Sequence, residues 1–491
     1  MPSSNAVPDG PVTIAADRAD VLAQLTAAGI DEGGLALRLL FPHAPHPLDA
    51  QPVWDGIHAT PGDCFLHLNT AGRPGCGPLV ELPATGATLG RLCRATARDP
   101  ARLGRSAPRP GSGSQRRHVG RAGLHQPVFP RRRTGTAVAF HQRSVDPGNE
   151  DAVWAKTAAR ALPWAEQLVA DLSDLPGKYA PPGDCDPEDV YFWVRSLADL
   201  RAIAGMLAAT GSRVHLAGHG GDEVLTAAPS YLHMLVRRHP LTAIGHIRGY
   251  QAVRRWRTST LLRELADRSR YAQWLRRCTD LLLEPPPDCL TPNLSWGGTP
   301  RLPSWTPPAA EFVADQLSEA VRSQPPTTGP HPPPAPDAVP RGRVRPDRPP
   351  DPPNLPSRER RPRDPLPRRP GGRDRPRGAS TRLRPPRALQ APADRGDDRH
   401  RAALNLARST KGEFSAETYL GLRRHRAKLL DLLDSSVLAE RGLVDQDALR
   451  RAAAATYPRA DPLWRLDMTL ACELWLRAQQ SMALTPNRRS P

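Results

Sequence analysis

Arg213-Val214-His215-Leu216-Ala217-Gly218-His219-Gly220-Gly221-Asp222-Glu223 sets a short apolar run against three glycines and a pair of acids. The Val and Leu positions read as a buried strand, the glycines as a tight loop and the acids as the opening of a helix. Glycine lets backbone N–H groups close on a phosphate, and a helix N-terminus favours the negative charge. An acidic pair in the same loop suits a divalent cation riding on that phosphate. An ordinary strand-to-helix turn uses the same residues, so the loop alone leaves both readings open.

The flanks carry more. Leu406-Ala407-Arg408-Ser409-Thr410-Lys411-Gly412-Glu413-Phe414-Ser415 holds one of only four lysines among 68 basic residues. Upstream, Ala137-Val138-Ala139-Phe140 reads as a strand, and Arg143-Ser144-Val145-Asp146-Pro147-Gly148-Asn149-Glu150-Asp151 as an acidic loop behind it. Together the three segments resemble the C-terminal synthetase domain of the asparagine synthetase superfamily. There the Gly-rich loop reads Ser/Thr-Gly-x-Gly-Ser/Gly-Asp-Glu, and a lysine lies in a segment like Leu406–Ser415. The resemblance implies an α/β fold of the ATP-pyrophosphatase type, a parallel sheet flanked by helices, with ATP and Mg²⁺ as cofactors. It also implies that a substrate carboxylate attacks the α-phosphorus of ATP, pyrophosphate leaves, and an amine then displaces AMP. Charge grows on phosphate oxygens in both steps, so backbone donors, Mg²⁺ and a lysine are called for.

Residue by residue, the resemblance gives Gly218, Gly220 and Gly221 to close backbone approach and Asp222 to the Mg–pyrophosphate. Lys411 counters charge at the adenylate centre; as a bare sequence feature it reads equally as a solvated surface lysine. Glu223 stands either beside the metal or as a cap on the following helix. His219 departs from asparagine synthetases, which carry a glutamate at this position; lasso-peptide macrolactam cyclases and β-lactam synthetases do not. The imidazole either shuttles a proton from an attacking amine or simply hydrogen-bonds the loop. Pro47–Trp54, Ser144–Asn149 and Leu406–Phe414 are most similar to lasso-peptide cyclases, which implies joining a peptide's N-terminal amine to an Asp or Glu side chain. The implied substrate is a precursor peptide, or alternatively aspartate, with a leader-peptide-binding protein and a protease as companions. Residues 1–95 resemble the tail of a β-rich, truncated glutaminase-like domain, with Pro52–Ile57 and Pro61–Leu68 as its last strand hairpin. That glutaminase uses an N-terminal cysteine as nucleophile. Met1-Pro2 stands here, so glutamine hydrolysis is not expected.

Composition points to a mixture of folded and unfolded parts: 39% hydrophobic residues, 5% aromatic and 58 prolines in 491 residues. No signal segment and no run of eighteen apolar residues is present, so a cytoplasmic protein without membrane contact is expected. The seven cysteines form no CxxC pair, which supports neither a zinc site nor a disulfide framework. The net charge of +18 suggests nucleic acid at first sight. Its distribution argues otherwise. Residues 101–133 hold nine arginines and no acid, residues 341–401 nineteen arginines and eight acids, and the remainder nets −2.

Those two segments lack periodicity, and seventy structureless residues inside an enzyme domain are unusual. Read one base forward, Val119–Pro127 can encode Ser-Gly-Gly-Leu-Asp-Ser-Thr-Ser-Leu, the family's pyrophosphate-binding loop. Pro365–Arg373 can likewise encode Pro-Phe-Leu-Asp-Asp-Arg-Val-Val-Glu, and Leu389–Asp397 Tyr-Lys-Pro-Leu-Leu-Thr-Glu-Ala-Met. The expectation is a synthetase interrupted by two compensated frameshifts and inactive as written. Its parts are the remnant at 1–95, an out-of-frame stretch at 96–133, synthetase at 134–323, a Pro/Arg-rich stretch at 324–403 and a helical end at 404–491. Helices are expected over Asp151–Arg160, Val190–Ala209, Tyr231–Trp256, Thr258–Leu283, Glu417–Leu433, Gln446–Ala455 and Leu463–Gln480. A strand is expected over Arg213–Ala217. In the last helix Trp464, Leu466, Leu470, Trp475 and Leu476 read as core.

Overall fold

The computed structural model describes residues 5–9, 12–60, 64–68, 74–78, 116–119, 137–160, 162, 164–183, 188–191, 193–217, 228–287, 290–323, 412–459 and 462–483. The chain opens with β1 (Asn5–Asp9), β2 (Val12–Ala16), α1 (Ala19–Thr26), α2 (Glu32–Arg38), β3 (His58–Ala59), β4 (Cys64–Leu68) and β5 (Pro74–Pro78). An α/β section follows: β6 (Arg116–Val119), β7 (Ala137–Gln142), α3 (Asp151–Arg160), β8 (Ala165–Ala170), α4 (Leu197–Ala209) and β9 (Ser212–Leu216). Helices complete it: α5 (Tyr231–Arg238), α6 (Pro240–Arg254), α7 (Thr258–Ala266), α8 (Tyr271–Asp280) and α9 (Ala310–Ser323). Beyond the Pro/Arg-rich stretch come α10 (Ser415–Leu433), α11 (Val437–Glu440), α12 (Gln446–Ala454) and α13 (Leu463–Ala483).

The central sheet is parallel, in the order β8-β7-β6-β9. β7 is buried along nearly its whole length, as a strand covered on both faces must be. Phe140, Ala170, Leu175, Ile203 and Leu207 pack α4 onto this sheet. The expected parallel α/β architecture is thus present. The expectation of irregular structure throughout 96–133 is corrected by β6, which lies inside that stretch and pairs with β7 and β9. Four residues are too few to show a period, and the two flanking strands supply the ladder that the sequence does not announce. The Pro/Arg-rich stretch at 324–403 lies outside the described residues.

Three other expectations shift. Tyr231–Trp256 divides at His239-Pro240, because Pro240 lacks an N–H and suits the first turn of a new helix. Thr258–Leu283 divides likewise, around Asp267–Arg270, where the Asp267 carboxylate turns back onto the Ser269 N–H and hydroxyl. The helix expected from Val190 begins at Leu197, behind a single 3₁₀ turn. At the N-terminus Pro52–Ile57 is not a strand; the hairpin is β4 against β5, while β1 sits between β2 and β3.

The largest core crosses these sequence divisions. Leu35, Leu37, Leu39, Leu40 and Val53 share one cluster with Trp274, Leu317, Leu422, Leu433, Leu466, Leu470 and Trp475. Trp475 is 1% exposed and meets Trp54 edge to face, with centroids 5.4 Å apart. α2 enters this core because Asp31 caps it, accepting the Gly33 and Gly34 N–H groups at 3.0 Å each. A side chain at Gly34 would run into the Pro52 carbonyl, so glycine permits the close approach. Trp464, read as core, is only partly buried: it lies on the rim of α13, under the Arg195 guanidinium at 4.1 Å. Among the described residues no helix is long and apolar enough to cross a membrane.

Two buried carboxylates brace this helical unit. Glu473 on α13 accepts the Val437 and Leu438 N–H groups and the Ser436 hydroxyl, capping four-residue α11, while Arg477 pairs with it at 2.7 Å. Asp467 accepts from the Tyr179 hydroxyl at 2.9 Å and pairs with Arg195 at 2.8 Å. These bonds tie the turn after β8 to α13 and hold Tyr179 at φ +62°. Close by, Asp199 takes the Gly177 N–H and the Lys178 ammonium, at 2.8 and 2.9 Å.

Glu473→Leu strands several buried donors and Arg477, and is expected to destabilise the chain by about 3–5 kcal/mol, read as a fall in the urea midpoint. Burial pushes Asp467 up from 3.8 to about 6, against the pull of Arg195. Between those values the folded chain binds the proton and the unfolded chain does not. Stability from this group therefore falls as pH rises through that window, by on the order of 2–3 kcal/mol. Urea titrations of the parent and of Asp467→Asn check it: the slope between pH 4 and 6 should shrink in the variant.

Candidate active site

Strand order places the candidate site. From β6 the chain moves to β7 and β8 on one side, then returns to β9 on the other. The sheet therefore changes direction of growth between β6 and β9, and parallel α/β sheets bind ligands in the crevice at such a point, beyond the carboxyl ends of the strands. Val119 ends β6 and is in register with Leu216, which ends β9. Leu216 and Ala217 lead straight into the Gly-rich loop. Gly218, His219, Gly220, Gly221, Asp222 and Glu223 themselves lie outside the described residues, as does Lys411. Their geometry is set here only by their flanks: Ala217 on one side of the loop and Gly412 beside the lysine.

The lysine segment is brought to the same edge of the sheet. β7 ends at Gln142, and the loop behind it folds on itself. Asp146 accepts the Gly148 N–H at 2.8 Å, and the Asn149 carbonyl oxygen caps α3 through the Asp151 N–H at 2.8 Å. This loop grips the chain just past Lys411. The Asn149 amide donates to the Glu413 carbonyl at 2.8 Å. Gly412 lies so close to the Asp151 carboxylate that a Cβ there would clash with it. One helical turn further on, Glu417 accepts the Val145 N–H at 3.0 Å. Gly412 and Glu413, the described residues that follow Lys411 in sequence, are thus held beside the loop after β7, one strand from the crevice.

Glu417 is 2% exposed, and its second oxygen, Oε2, has no hydrogen-bond partner among the described residues. A buried carboxylate half used in this way holds the loop to the helix and keeps one lone-pair face open. Sequence reading missed it because its partner is 272 residues away. A buried acid on the first turns of an otherwise amphipathic helix was the only available signal. Asn149 and Asp151 were inside the loop singled out, but their grip on residues 412–413 is visible only in three dimensions. The Arg143–Asp171 pair at the same edge is half-exposed at 3.2 Å and adds little.

The crevice can be tested for fit to a Mg²⁺-bound nucleotide. Behind β9 the sequence offers the residue types that such a group needs, three glycines and two acids, all of them outside the described residues. Behind β6 the chain reads Gly120-Arg121-Ala122-Gly123-Leu124-His125, which offers glycines and positive charge but neither hydroxyl nor acid. Among the described residues no cluster of three or more His, Cys, Asp or Glu side chains is placed to hold a metal ion.

Residues 122–324 match the family model described as asparagine synthase. The match starts three residues after β6 and ends one residue after α9, so it contains the Gly-rich loop and not Lys411. No curated protein matches the chain, and no solved structure does. Residues 122–324 of this chain are thus similar to the synthetase domain of the asparagine synthase family.

Proposed function

We propose that the crevice between β6 and β9 is the adenylation site of an amide-forming ligase whose substrate is a peptide carboxylate, a lasso-peptide-type macrolactam cyclase. The observation that supports this reading is the register of Val119 with Leu216, the strand end that precedes the Gly-rich loop in sequence, at the sheet's switch point. When bound, ATP with Mg²⁺ supplies an electrophilic α-phosphorus and a pyrophosphate leaving group. Backbone N–H groups of Gly218, Gly220 and Gly221 hold phosphate oxygens, and Asp222, with Glu223 beside it, holds the metal side of the pyrophosphate. Lys411, which precedes the segment that Asn149 and Glu417 contact, would offset charge where the carboxylate attacks. His219 takes the proton from the incoming amine, a role that suits a near-neutral imidazole.

Asparagine formation from aspartate is the second reading, favoured by the family match itself. His219 in place of the glutamate of asparagine synthetases speaks for the peptide. A third element of the proposal concerns Gly120–Pro127: in the offset frame Ser-Gly-Gly-Leu-Asp-Ser would follow β6 directly, at the phosphate crevice. The chain as written lacks that half of the cradle. Resequencing the gene across residues 96–133 and 324–403 tests this part; an unchanged frame overturns it.

Incubation of the repaired chain with ATP, Mg²⁺ and a peptide bearing a free amine and an internal Asp or Glu is expected to give AMP, pyrophosphate and a peptide lighter by one water. New asparagine from aspartate and ammonia would establish the second reading, and neither product would mark an inactive remnant. Lys411→Met and Asp222→Asn should each lower the rate by about 10²–10³-fold. Gly412→Val, which pushes the segment off Asp151, is expected to lower kcat with little change in peptide KM, measured by pyrophosphate release.

A further inference from the structure

The near-neutral remainder of the chain conceals a third basic region, and this one is folded. Residues 231–277, from α5 into α8 but short of its terminal Asp280, carry eleven arginines against two acids, Glu264 and Asp267. Both acids are committed. Glu264 accepts the Leu294 N–H at 3.2 Å, and Asp267 pairs with Arg277 at 2.9 Å. Arg237, Arg238, Arg248, Arg254, Arg255, Arg257 and Arg263 are all exposed.

Exposed apolar side chains are interleaved with them. α6 buries Ala243, His246 and Tyr250. At 100° per residue, its opposite face presents Leu241, Ile244, Gly245, Arg248 and Ala252, with Arg255 just past its end. Leu241 is 85% exposed and Ile244 47%, and a side chain added at Gly245 would meet nothing. α7 repeats the pairing with Leu262, 60% exposed, beside Arg263. A solvent face normally carries polar residues; this one carries leucine, isoleucine and arginine.

We propose that the outer face of α6, continued by Leu262 and Arg263 of α7, docks an acidic, leucine-bearing peptide segment of a partner polypeptide. Charge complementarity selects the acids: unpaired guanidiniums form forked hydrogen bonds with carboxylates. The exposed Leu and Ile select a peptide over a nucleic acid, because phosphates gain nothing from them, whereas an amphipathic segment buries its own apolar side chains there. The adenylation crevice contributes no residue to this face, so the two proposals stand or fall separately.

The test uses the full chain and a fluorescein-labelled helical peptide with Glu on one face and Leu on the other, followed by anisotropy. The arginines at 101–133 and 341–401 attract any anion, so surface variants are the diagnostic. Arg248→Glu with Arg255→Glu should weaken binding at least about tenfold at about 0.1 M salt. Leu241→Ser should weaken it several-fold at about 0.1 M and about 0.5 M salt alike, because screening does not touch the apolar term. These substitutions are solvent-facing, and circular dichroism should match the parent. Parent-like binding by the variants overturns the proposal. So does equal binding of a leucine-free glutamate peptide, or a single-stranded oligonucleotide that competes and ignores Leu241→Ser.

Discussion

Trp475 is fully enclosed near the middle of α13, and its neighbours come from opposite ends of the chain. Trp54 meets it edge to face, and Leu35, Leu37, Leu39, Leu40, Leu317 and Leu422 belong to the same core cluster. Burying side chains of this size stabilises each by roughly 1.5–3 kcal/mol, and interior packing density leaves no tolerance for misplacing one. The helical unit is therefore the frame on which the sheet and its loops are hung. Through Asp467, Tyr179 and Arg195 the turn after β8 is fastened to α13, and α10 carries Glu417 to the loop after β7.

From that frame the site's geometry follows by short steps. α10 starts at Ser415, so Gly412 to Phe414 lead into a helix whose position is fixed by the core. Asn149 and Glu417 make the loop after β7 a clasp on that lead-in. The parallel ladder sets Leu216 level with Val119. The described flanks of three distant stretches of sequence are thereby brought to one end of the sheet.

Much of this was legible beforehand, and the exceptions are physical. α3 begins and ends where its periodicity does, and α12 differs by one residue, because both are amphipathic with clear ends. Helix existence around 231–283 was legible, but not its breaks: proline opening α6 and the Asp267 turn are local features that a coarse period overrides. β6 was hidden because a four-residue strand inside a ladder needs no pattern of its own. The glycine loop stands out in the sequence by its residue types alone and lies outside the described residues. Glu417 did not, since an acid on a helix becomes unusual only once its burial is known. Trp464 went wrong for the converse reason: a large aromatic at helical spacing also serves as a platform for a cation at the rim.

The closure of one core by α2 and α13 has a consequence for how the chain is made. Leu35 emerges from the ribosome about 440 residues before Trp475, and at roughly 5–20 residues per second that interval is about 20–90 s. During it the apolar face of α2 has no partner on α13, and the sheet's turn at Tyr179 has no Asp467. The largest core therefore closes only once α13 has been made. A ribosome that stops anywhere before α13 releases a product with its largest core open.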